Sequence, residues 1–191
     1  MFKEEEKMEF ETLESERLML IPMTEFEEKY FPELVRLLNN KDIYENTESL
    51  PHPYTEAHAR EYVSGAKQRS EKGMLDYIIL LKETSRLVGG IAFAHQKSNH
   101  SGALSFWTGT EFWNLGYCSE AIKQIIFQAF TCWEINRIFG YHFLFNKGSE
   151  RVMQKNGMKF EGILREYKFK KGQFYDVGLY AVLKSDFEIS V

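Results

Sequence analysis

Cysteine, proline and long apolar runs are scarce in this chain, and each shortage disfavours a class of protein. Of 191 residues, only 2 are cysteine and 4 are proline. Cys118 and Cys132 fall at the two ends of one predicted helix, too far apart for a disulfide, and neither has a neighbour at metal-ligand spacing. No stretch approaches the roughly 18 apolar residues that a membrane span needs. We therefore expect no disulfide-stapled domain, no metal site and no membrane protein.

The net charge is small and unevenly distributed. The formal charge is −4 at pH 7, which argues against nucleic acid as the main ligand. Residues 1–16 carry seven Glu against two Lys, so we expect residues 1–13 to form a solvated, partly disordered lead-in, with steering of a cationic partner as the alternative. The N-terminus lacks the basic and then apolar order of a signal peptide, which predicts a cytoplasmic protein. Residues 14–191 suit one domain.

Hydrophobic periodicity predicts a mixed α/β sheet of about seven strands with helices on both faces. The predicted strands are 17–23, 76–81, 87–95, 103–108, 137–145, 159–169 and 174–183. The predicted helices are 25–38, 55–72, the central helix that follows Gly116, and 149–156. Only the step from the fourth strand through the central helix to the fifth strand has the order of a parallel crossover.

The turn W-N-L-G-Y-C-S-E-A at 113–121 leads small residues directly into an amphipathic helix. Apolar residues then recur at helical spacing: Ile122, Ile125, Ile126, Ala129, Phe130 and Trp133. The first N–H groups of a helix lack partners and meet the positive end of its dipole, so such a turn binds phosphate. The chain has neither G-K-[ST] nor G-x-G-x-x-G, which excludes two common nucleotide-binding loops. We predict an anion site at Gly116, with a plain strand-to-helix connection as the alternative.

Three sequence blocks together resemble one family. They are F-W-T-G-T-E-F-W-N-L-G-Y-C-S-E-A-I from Phe106, N-K-G-S-E-R-V-M-Q-K-N-G-M from Asn146 and E-G-I-L-R-E-Y from Glu161. Their order and spacing resemble the GCN5-related N-acetyltransferase (GNAT) superfamily, and within it the ribosomal-protein-alanine N-acetyltransferase group, from Glu14 to the C-terminus. The resemblance implies a single-domain GNAT fold whose fourth and fifth strands are parallel and splay apart to admit a cosubstrate.

The resemblance implies that this cosubstrate is acetyl-CoA. The pyrophosphate is then expected on the turn 115–119, the pantetheine along the fourth strand and the thioester beside Trp107 and Thr108. An Asn after the fifth strand binds the cofactor in the family, and Asn146 takes that position. The implied cofactor-binding residues are Phe106, Trp107, Thr108, Leu115, Gly116, Tyr117, Cys118, Ser119, Asn146 and Ser149.

The residues expected to act in catalysis depart in part from the family pattern. Met153 stands where many members carry a Tyr that protonates the departing thiolate, and Ser149 matches a Ser that the group often has instead. A free thiol has a pKa of about 8.5, so this leaving group needs little help. We expect direct attack by the amine, with a main-chain N–H near Trp107 facing the oxyanion. Cys118 is the alternative nucleophile.

The position of the general base also departs from the family pattern, and the missing carboxylate bears on which amine is the acceptor. Ala103 stands where the group often has a Glu, which leaves His95, Glu48 or a water held by the fourth strand as candidates. A peptide α-amine, with a pKa of about 7.7 to 8.0, is partly neutral near pH 7, whereas a Lys side chain with a pKa of about 10.4 is almost wholly charged. The missing carboxylate therefore favours an α-amine acceptor.

Two segments are expected to shape the acceptor site. The proline-punctuated loop 46–54 supplies Glu48, His52 and Tyr54, and the last hairpin supplies Tyr167 and Tyr175, for which cross-strand packing is the alternative. The expected partners are acetyl-CoA and an amine, among them the N-terminus of a ribosomal protein, and the protein is expected as a monomer or homodimer. A small amine (polyamine, antibiotic or amino-acid analogue) and a catalytically silent acyl-CoA-binding module remain alternatives.

A last expectation concerns the tip of that hairpin. Its three lysines are Lys168, Lys170 and Lys171, around the turn K-K-G-Q. Lysine side chains are seldom buried, so we expect all three to be solvated.

Overall fold

The computed structural model describes residues 11–188, so most of the acidic lead-in, residues 1–10, lies outside the described residues. The strands are β1 (Leu13–Glu14), β2 (Leu18–Pro22), β3 (Met74–Leu81), β4 (Leu87–Gln96), β5 (Ser101–Thr108), β6 (Arg137–Phe143), β7 (Lys159–Lys170) and β8 (Gln173–Leu183). The helices are α1 (Phe31–Leu38), α2 (Lys41–Asn46), α3 (Glu56–Ser64), α4 (Ala66–Glu71), α5 (Tyr117–Cys132), α6 (Lys147–Lys155) and α7 (Lys184–Glu188). None of these helices is long and apolar enough to cross a membrane.

The strands form one mixed sheet in the order β1-β2-β3-β4-β5-β6-β8-β7. The pair β5 and β6, joined through α5, is parallel, which confirms the predicted crossover. Each of the other neighbouring pairs recorded for residues 11–188 is antiparallel. Antiparallel neighbours need only short connections, whereas a parallel pair requires a long crossover such as α5.

The parallel pairing covers only the beginning of the two strands. It joins Ser101 with Arg137, Gly102 with Ile138 and Ala103 with Phe139, and the two strands are not paired beyond these residues. Both strands nevertheless continue, because β5 stays paired with β4 as far as Thr108 and β6 stays paired with β8 as far as Phe143. The C-terminal halves of β5 and β6 are therefore separated by a gap, which confirms the predicted splay.

Helices cover both faces of the sheet, as predicted. Asp76 of β3 accepts a hydrogen bond from Arg69 of α4 at 2.6 Å, so α4 lies on the face to which Asp76 points. The preceding residue, Leu75, pairs with Phe93, whose ring packs against Trp133 at the end of α5 with a centroid distance of 5.4 Å. Successive strand residues point to opposite faces, so α4 and α5 lie on opposite sides.

The structure differs from the expected elements in several places. The predicted helix 25–38 begins only at Phe31, after two short 3-10 turns, and α7 was not predicted. The sheet has eight strands rather than about seven, because the two-residue β1 is too short for a periodic signal. The predicted helix 55–72 is divided at Gly65 into α3 and α4. The six-residue α2 was not expected, and its start is fixed by Asn40, whose side chain accepts hydrogen bonds from the N–H groups of Asp42 and Ile43.

Substitution of Gly102 tests the packing under the paired part of β5. A Cβ at Gly102 would lie 1.9 Å from Cζ of Phe93, whose side chain is fully buried. We expect Gly102→Ala to lower the free energy of unfolding by about 1–3 kcal/mol, because the ring has no free space to enter. Urea denaturation measures this change.

Gly148→Ala is the matched control. A Cβ at Gly148, in the first turn of α6, would approach no closer than 3.5 Å to Oδ1 of Asn146. Alanine favours a helix over glycine, so the control is expected to be neutral or slightly stabilising. Equal losses for both variants would contradict the packing described for β5.

Candidate active site

The gap between β5 and β6 exposes main-chain groups that no strand pairs. The Leu104 carbonyl points toward β6, since a Cβ on Gly140 would lie 3.1 Å from its oxygen. The Trp107 carbonyl points the other way, since a Cβ on Gly89 of β4 would lie 2.2 Å from its oxygen. Main-chain groups alternate along a strand, so those of Phe106, like those of Leu104, face the gap.

This alternation specifies which groups near Trp107 can contact a ligand in the gap. The N–H groups of Phe106 and Thr108 face the gap, whereas that of Trp107 faces β4. The Thr108 carbonyl is occupied, because it accepts a hydrogen bond from Nε1 of Trp113 at 3.0 Å. The Trp107 indole lies over Gly90, where a Cβ would come within 2.7 Å of its Nε1. Its side chain is therefore turned toward the face of the sheet that carries α4.

The Gly116 turn follows β5 and opens α5. Gly116 precedes the first helical residue with a φ of 85°, in the left-handed region that glycine adopts without strain. No side chain caps this end, and the helical hydrogen bonds begin with Glu120 N–H donating to the Gly116 carbonyl. The N–H groups of Tyr117, Cys118 and Ser119 therefore have no helical acceptor. This is the arrangement that binds phosphate.

Cys118 lies in this first turn, but its environment does not favour a thiolate. Burial raises the pKa of the Cys118 thiol to about 12. The helix N-terminus alone would favour the thiolate, so burial outweighs it at this position. The structure thus gives no support to Cys118 as a nucleophile.

An ionic contact that the sequence analysis missed anchors the turn. The carboxylate of Glu120 accepts hydrogen bonds from Ser15 Oγ, Arg17 N and Arg17 Nε, each at 2.7 Å. The same guanidinium donates from Nη1 to the Leu115 carbonyl at 3.2 Å and lies 4.5 Å from the ring centroid of Tyr117. Arg17 thereby ties the start of β2 to both sides of Gly116. Neither periodicity nor motif spacing relates residues so far apart in the sequence.

A cavity of about 960 Å³ lies against the gap, on the face of the sheet that carries α4. Small residues of β4 and β5 form its floor: Gly90, Ala92, Ala94, Ala103 and Ser105. Residues 46–51, α3, Tyr141 and Lys168 contribute to its walls. Six of the predicted site residues line it: Glu48, Tyr54, Phe106, Trp107, Asn146 and Ser149. The structure therefore brings part of each predicted set, cofactor and acceptor, to one cavity.

Two of these residues are in direct contact. Oδ1 of Asn146 accepts a hydrogen bond from the Ser149 N–H at 3.0 Å and so caps α6. Nδ2 of Asn146 lies 3.5 Å from the Asn46 carbonyl oxygen, at the start of the loop 46–54. Met153, one turn further along α6, is buried and carries no hydroxyl. Ser149 is therefore the hydroxyl that the start of α6 presents to the cavity.

His95 is not brought to this cavity. It pairs with Gly102, at the end of β5 where the parallel pairing with β6 is still intact. Ala94 lines the cavity, so the side chain of the next residue, His95, is on the opposite face. Burial lowers the pKa of His95, and the positive charge of Lys97 lowers it further.

The remaining acceptor candidates take part mainly in aromatic packing. His52 stacks on Tyr44 at a centroid distance of 5.1 Å, and Tyr175 packs edge-on against Phe143 at 5.4 Å. Tyr167 packs against Tyr141 at 5.5 Å and remains half exposed. These three lie around the cavity without lining it.

Glu48 and Lys168 form an ion pair in the cavity wall. Nζ of Lys168 donates to Oε1 of Glu48 at 2.7 Å and to the Tyr141 hydroxyl at 2.9 Å. Burial by itself would lower the pKa of Lys168, but these two contacts outweigh it and hold the pKa above its usual value. The pair links the loop 46–54 to β7 beside the gap.

The expectation of three solvated lysines is wrong for Lys168, whose side chain is only 14% exposed, and for Lys170. Lys170 is only 8% exposed, and its Nζ donates to the carbonyls of Tyr44, Glu45 and Thr47 at the end of α2. Lys171 pairs with the Glu45 carboxylate. A helix end leaves its last carbonyls unpaired, which explains why an ammonium group is accepted there.

No metal-binding arrangement is found among residues 11–188. In that part of the chain, no three His, Cys, Asp or Glu side chains are placed to hold one ion.

Comparison with known proteins identifies the family. The family model for the acetyltransferase (GNAT) domain matches residues 17–159, which is most of the chain. The protein belongs to the GNAT acetyltransferase family, as its sequence blocks predicted.

Individual relatives agree with this assignment. The uncharacterized N-acetyltransferase YoaA of Bacillus subtilis (strain 168) is 30% identical over 115 residues, which are 60% of this chain and 65%, just under two thirds, of YoaA. The ribosomal-protein-serine acetyltransferase of Escherichia coli (strain K12) is 26% identical over 128 residues, 66% of this chain and 71% of that protein. RimL, a ribosomal alpha-N-protein acetyltransferase solved in complex with coenzyme A, has a TM-score of 0.80 at 20% identity, covering 91% of this chain and 98% of that one.

Acid titration tests the anchor of the Gly116 turn. Burial alone would raise the pKa of Glu120, but the hydrogen bonds from Arg17 and Ser15 outweigh it and lower the pKa. The ionised Glu120 therefore stabilises the fold fully at a pH above its pKa in the unfolded chain, about 4.3. This stabilisation is lost as the pH falls through the lower pKa that Glu120 has in the folded protein. Between about pH 5 and 3, we expect the wild type to lose more stability than Glu120→Gln.

The change is measured by urea denaturation at each pH. Glu71→Gln, at the exposed end of α4, is the control, and its stability should follow the wild-type pH profile. If Glu120→Gln also followed the wild-type profile, the carboxylate would not be the group that anchors the turn.

Proposed function

We propose that this protein transfers an acetyl group from acetyl-CoA to the α-amine of a peptide or protein N-terminus. The observation that carries the proposal is the gap between β5 and β6, which opens onto a cavity on one face of the sheet and is followed by the Gly116 turn. Parallel strands have their C-terminal ends at the same edge, so the Gly116 turn after β5 and Asn146 after β6 lie at one end of the gap. A donor and an acceptor can thus approach the same point from different sides.

The chain has groups suited to each part of acetyl-CoA, and the bound molecule supplies the acetyl thioester. The unpaired N–H groups at 117–119 fit the pyrophosphate. The unpaired main-chain groups of Phe106 and the N–H of Thr108 fit the amides of the pantetheine, as a neighbouring strand would. Asn146, beside the gap, supplies a further side-chain amide. RimL, which shares the fold, was solved with coenzyme A.

The residues around the gap suit direct transfer. The acceptor nitrogen attacks the thioester carbonyl carbon, a C–N bond forms and the C–S bond breaks. The N–H of Phe106 or Thr108 donates to the carbonyl oxygen as negative charge develops there. Ser149, through its hydroxyl or a water, returns a proton to the departing sulfur, while the proton lost by the amine passes to Glu48 or to solvent.

The composition of the cavity floor supports an α-amine over a lysine side chain. Ala103 and Ser105 place no carboxylate there, so a protonated lysine would depend on Glu48, whose carboxylate is already paired with Lys168. An α-amine, with a pKa of about 7.7 to 8.0, supplies its own neutral fraction. The relative in Escherichia coli is named a ribosomal-protein-serine acetyltransferase, which makes the N-termini of ribosomal proteins the first acceptors to test. A protein that acts on ribosomal proteins would work in the cytoplasm.

An acceptor panel tests the proposal. We expect release of CoA thiol with peptides that have a free N-terminus, and none with the same peptides blocked at the N-terminus. Polyamines and aminoglycosides are expected to react at least about tenfold more slowly, because their amines are more fully protonated. Steady-state assays with a thiol reagent, and mass spectrometry of the peptides, provide the measurement.

Gly116→Glu is the control variant for this assay. Its carboxylate would occupy the phosphate position and repel the pyrophosphate, so turnover should be lost. Faster turnover with polyamines or aminoglycosides would assign the protein to small amines. Micromolar acetyl-CoA binding without turnover of any amine would instead identify a silent acyl-CoA-binding module.

A further inference from the structure

Lys170 is one of the few charged residues with a buried side chain among residues 11–188. Its ammonium group contacts no carboxylate and donates instead to three main-chain carbonyls, those of Tyr44, Glu45 and Thr47. An ammonium group has three N–H donors, so this arrangement satisfies all of them. The Tyr44 ring covers the group at 4.4 Å.

The two elements that Lys170 joins are both parts of the cavity wall. The carbonyls belong to the end of α2 and to Thr47, and residues 46–51 line the cavity from there on. Lys170 itself is the last residue of β7, and two residues earlier on that strand Lys168 also lines the cavity. The contact therefore fixes the position of one wall relative to the other.

We propose that Lys170 is a positioning residue that holds the acceptor loop 46–54 in the conformation that receives the acceptor amine. The inference rests on the proposed function. Loss of the ammonium would leave the carbonyls of Glu45 and Thr47 without this donor and would leave the Tyr44 carbonyl only the long hydrogen bonds from Thr47. The loop would then be joined to β7 through side-chain pairs alone, and the position of Glu48 would no longer be fixed by the main chain. The cosubstrate side would be unaffected, because the Gly116 turn is held separately by Arg17 and Glu120.

Neighbouring contacts do not replace this one. Lys171 pairs with the side chain of Glu45 and so leaves the main-chain carbonyls free. Lys168 contacts Glu48, whose side chain is about half exposed, further along the loop. Lys170 is thus the contact among these three that fixes the main chain of the loop.

The test compares Lys170→Met with Lys159→Met. Methionine keeps most of the length and apolar volume of the lysine stem but has no donor. Lys159 is on the same strand, and its exposed side chain pairs with Asp186 at the other end of β7. For Lys170→Met we expect the KM for the peptide acceptor to rise about tenfold, because the acceptor must then order a loop that the ammonium no longer holds. The Kd of CoA should remain within about twofold of wild type.

Two further variants serve as controls. Lys159→Met should match wild type in both the acceptor KM and the CoA Kd. Lys170→Arg, which keeps the charge, should bring the acceptor KM part of the way back to the wild-type value.

Amide hydrogen exchange supplies a readout that is independent of activity. In the free protein, exchange in residues 41–50 should be faster in Lys170→Met than in wild type or Lys159→Met, and exchange at 115–121 should be unchanged. Unchanged exchange at 41–50 would overturn the inference even for an inactive protein, and so would an unchanged acceptor KM in an active one. If wild type bound CoA but acetylated no peptide, the proposed function would fail, while the exchange result would still decide whether Lys170 fixes the loop.

Discussion

The early end of the parallel pairing between β5 and β6 is the constraint on which the rest of this structure depends. Three residue pairs join the strands, and then each continues with its outer neighbour alone. An unpaired strand edge inside a sheet is costly unless another partner satisfies its main-chain groups. Here those groups face an open gap. The protein keeps an unpaired main-chain edge in the middle of its sheet, where the outer neighbours β4 and β8 hold the two strands in place.

The two sides of this gap are stabilised by separate ionic contacts. At the end of β5, Glu120 and Arg17 tie the Gly116 turn to the beginning of the sheet. In the cavity wall, Lys170 and Lys168 tie the end of α2 and the loop 46–54 to the last hairpin. Each contact joins segments about a hundred or more residues apart in sequence. The loops are therefore positioned by the completed fold rather than by their own sequences.

The sequence predicted the parts of the fold that local patterns encode. The apolar spacing of α5 and the glycine at its start predicted the central helix and its turn, and the φ of Gly116 shows why glycine is needed there. The order of elements predicted the parallel crossover. By contrast, β1 and α2 are too short to produce a periodic signal. Their positions depend on pairing with β2 and on the Asn40 cap.

The candidate site was predictable only in part, for a related reason. Phe106, Trp107 and Asn146 lie on or shortly after the strands that border the gap, and the family resemblance of their sequence blocks was sufficient to locate them. His95 shows the limit of such reasoning, because a shift of one residue along β4 separates it from the cavity that Ala94 lines. The burial of Lys170 and the role of Arg17 depend on tertiary neighbours, which composition and spacing do not reveal.

The central claim is that the unpaired edge of β5 and the Gly116 turn together bind the cosubstrate. Peptide-resolved amide hydrogen exchange, recorded with and without CoA, tests it most directly. We predict that CoA slows amide exchange in residues 104–108 and 115–121 and leaves the exchange rates of the paired strands β2 and β3 unchanged. Protection confined to other segments, with 104–108 exchanging at the same rate in both states, would contradict it.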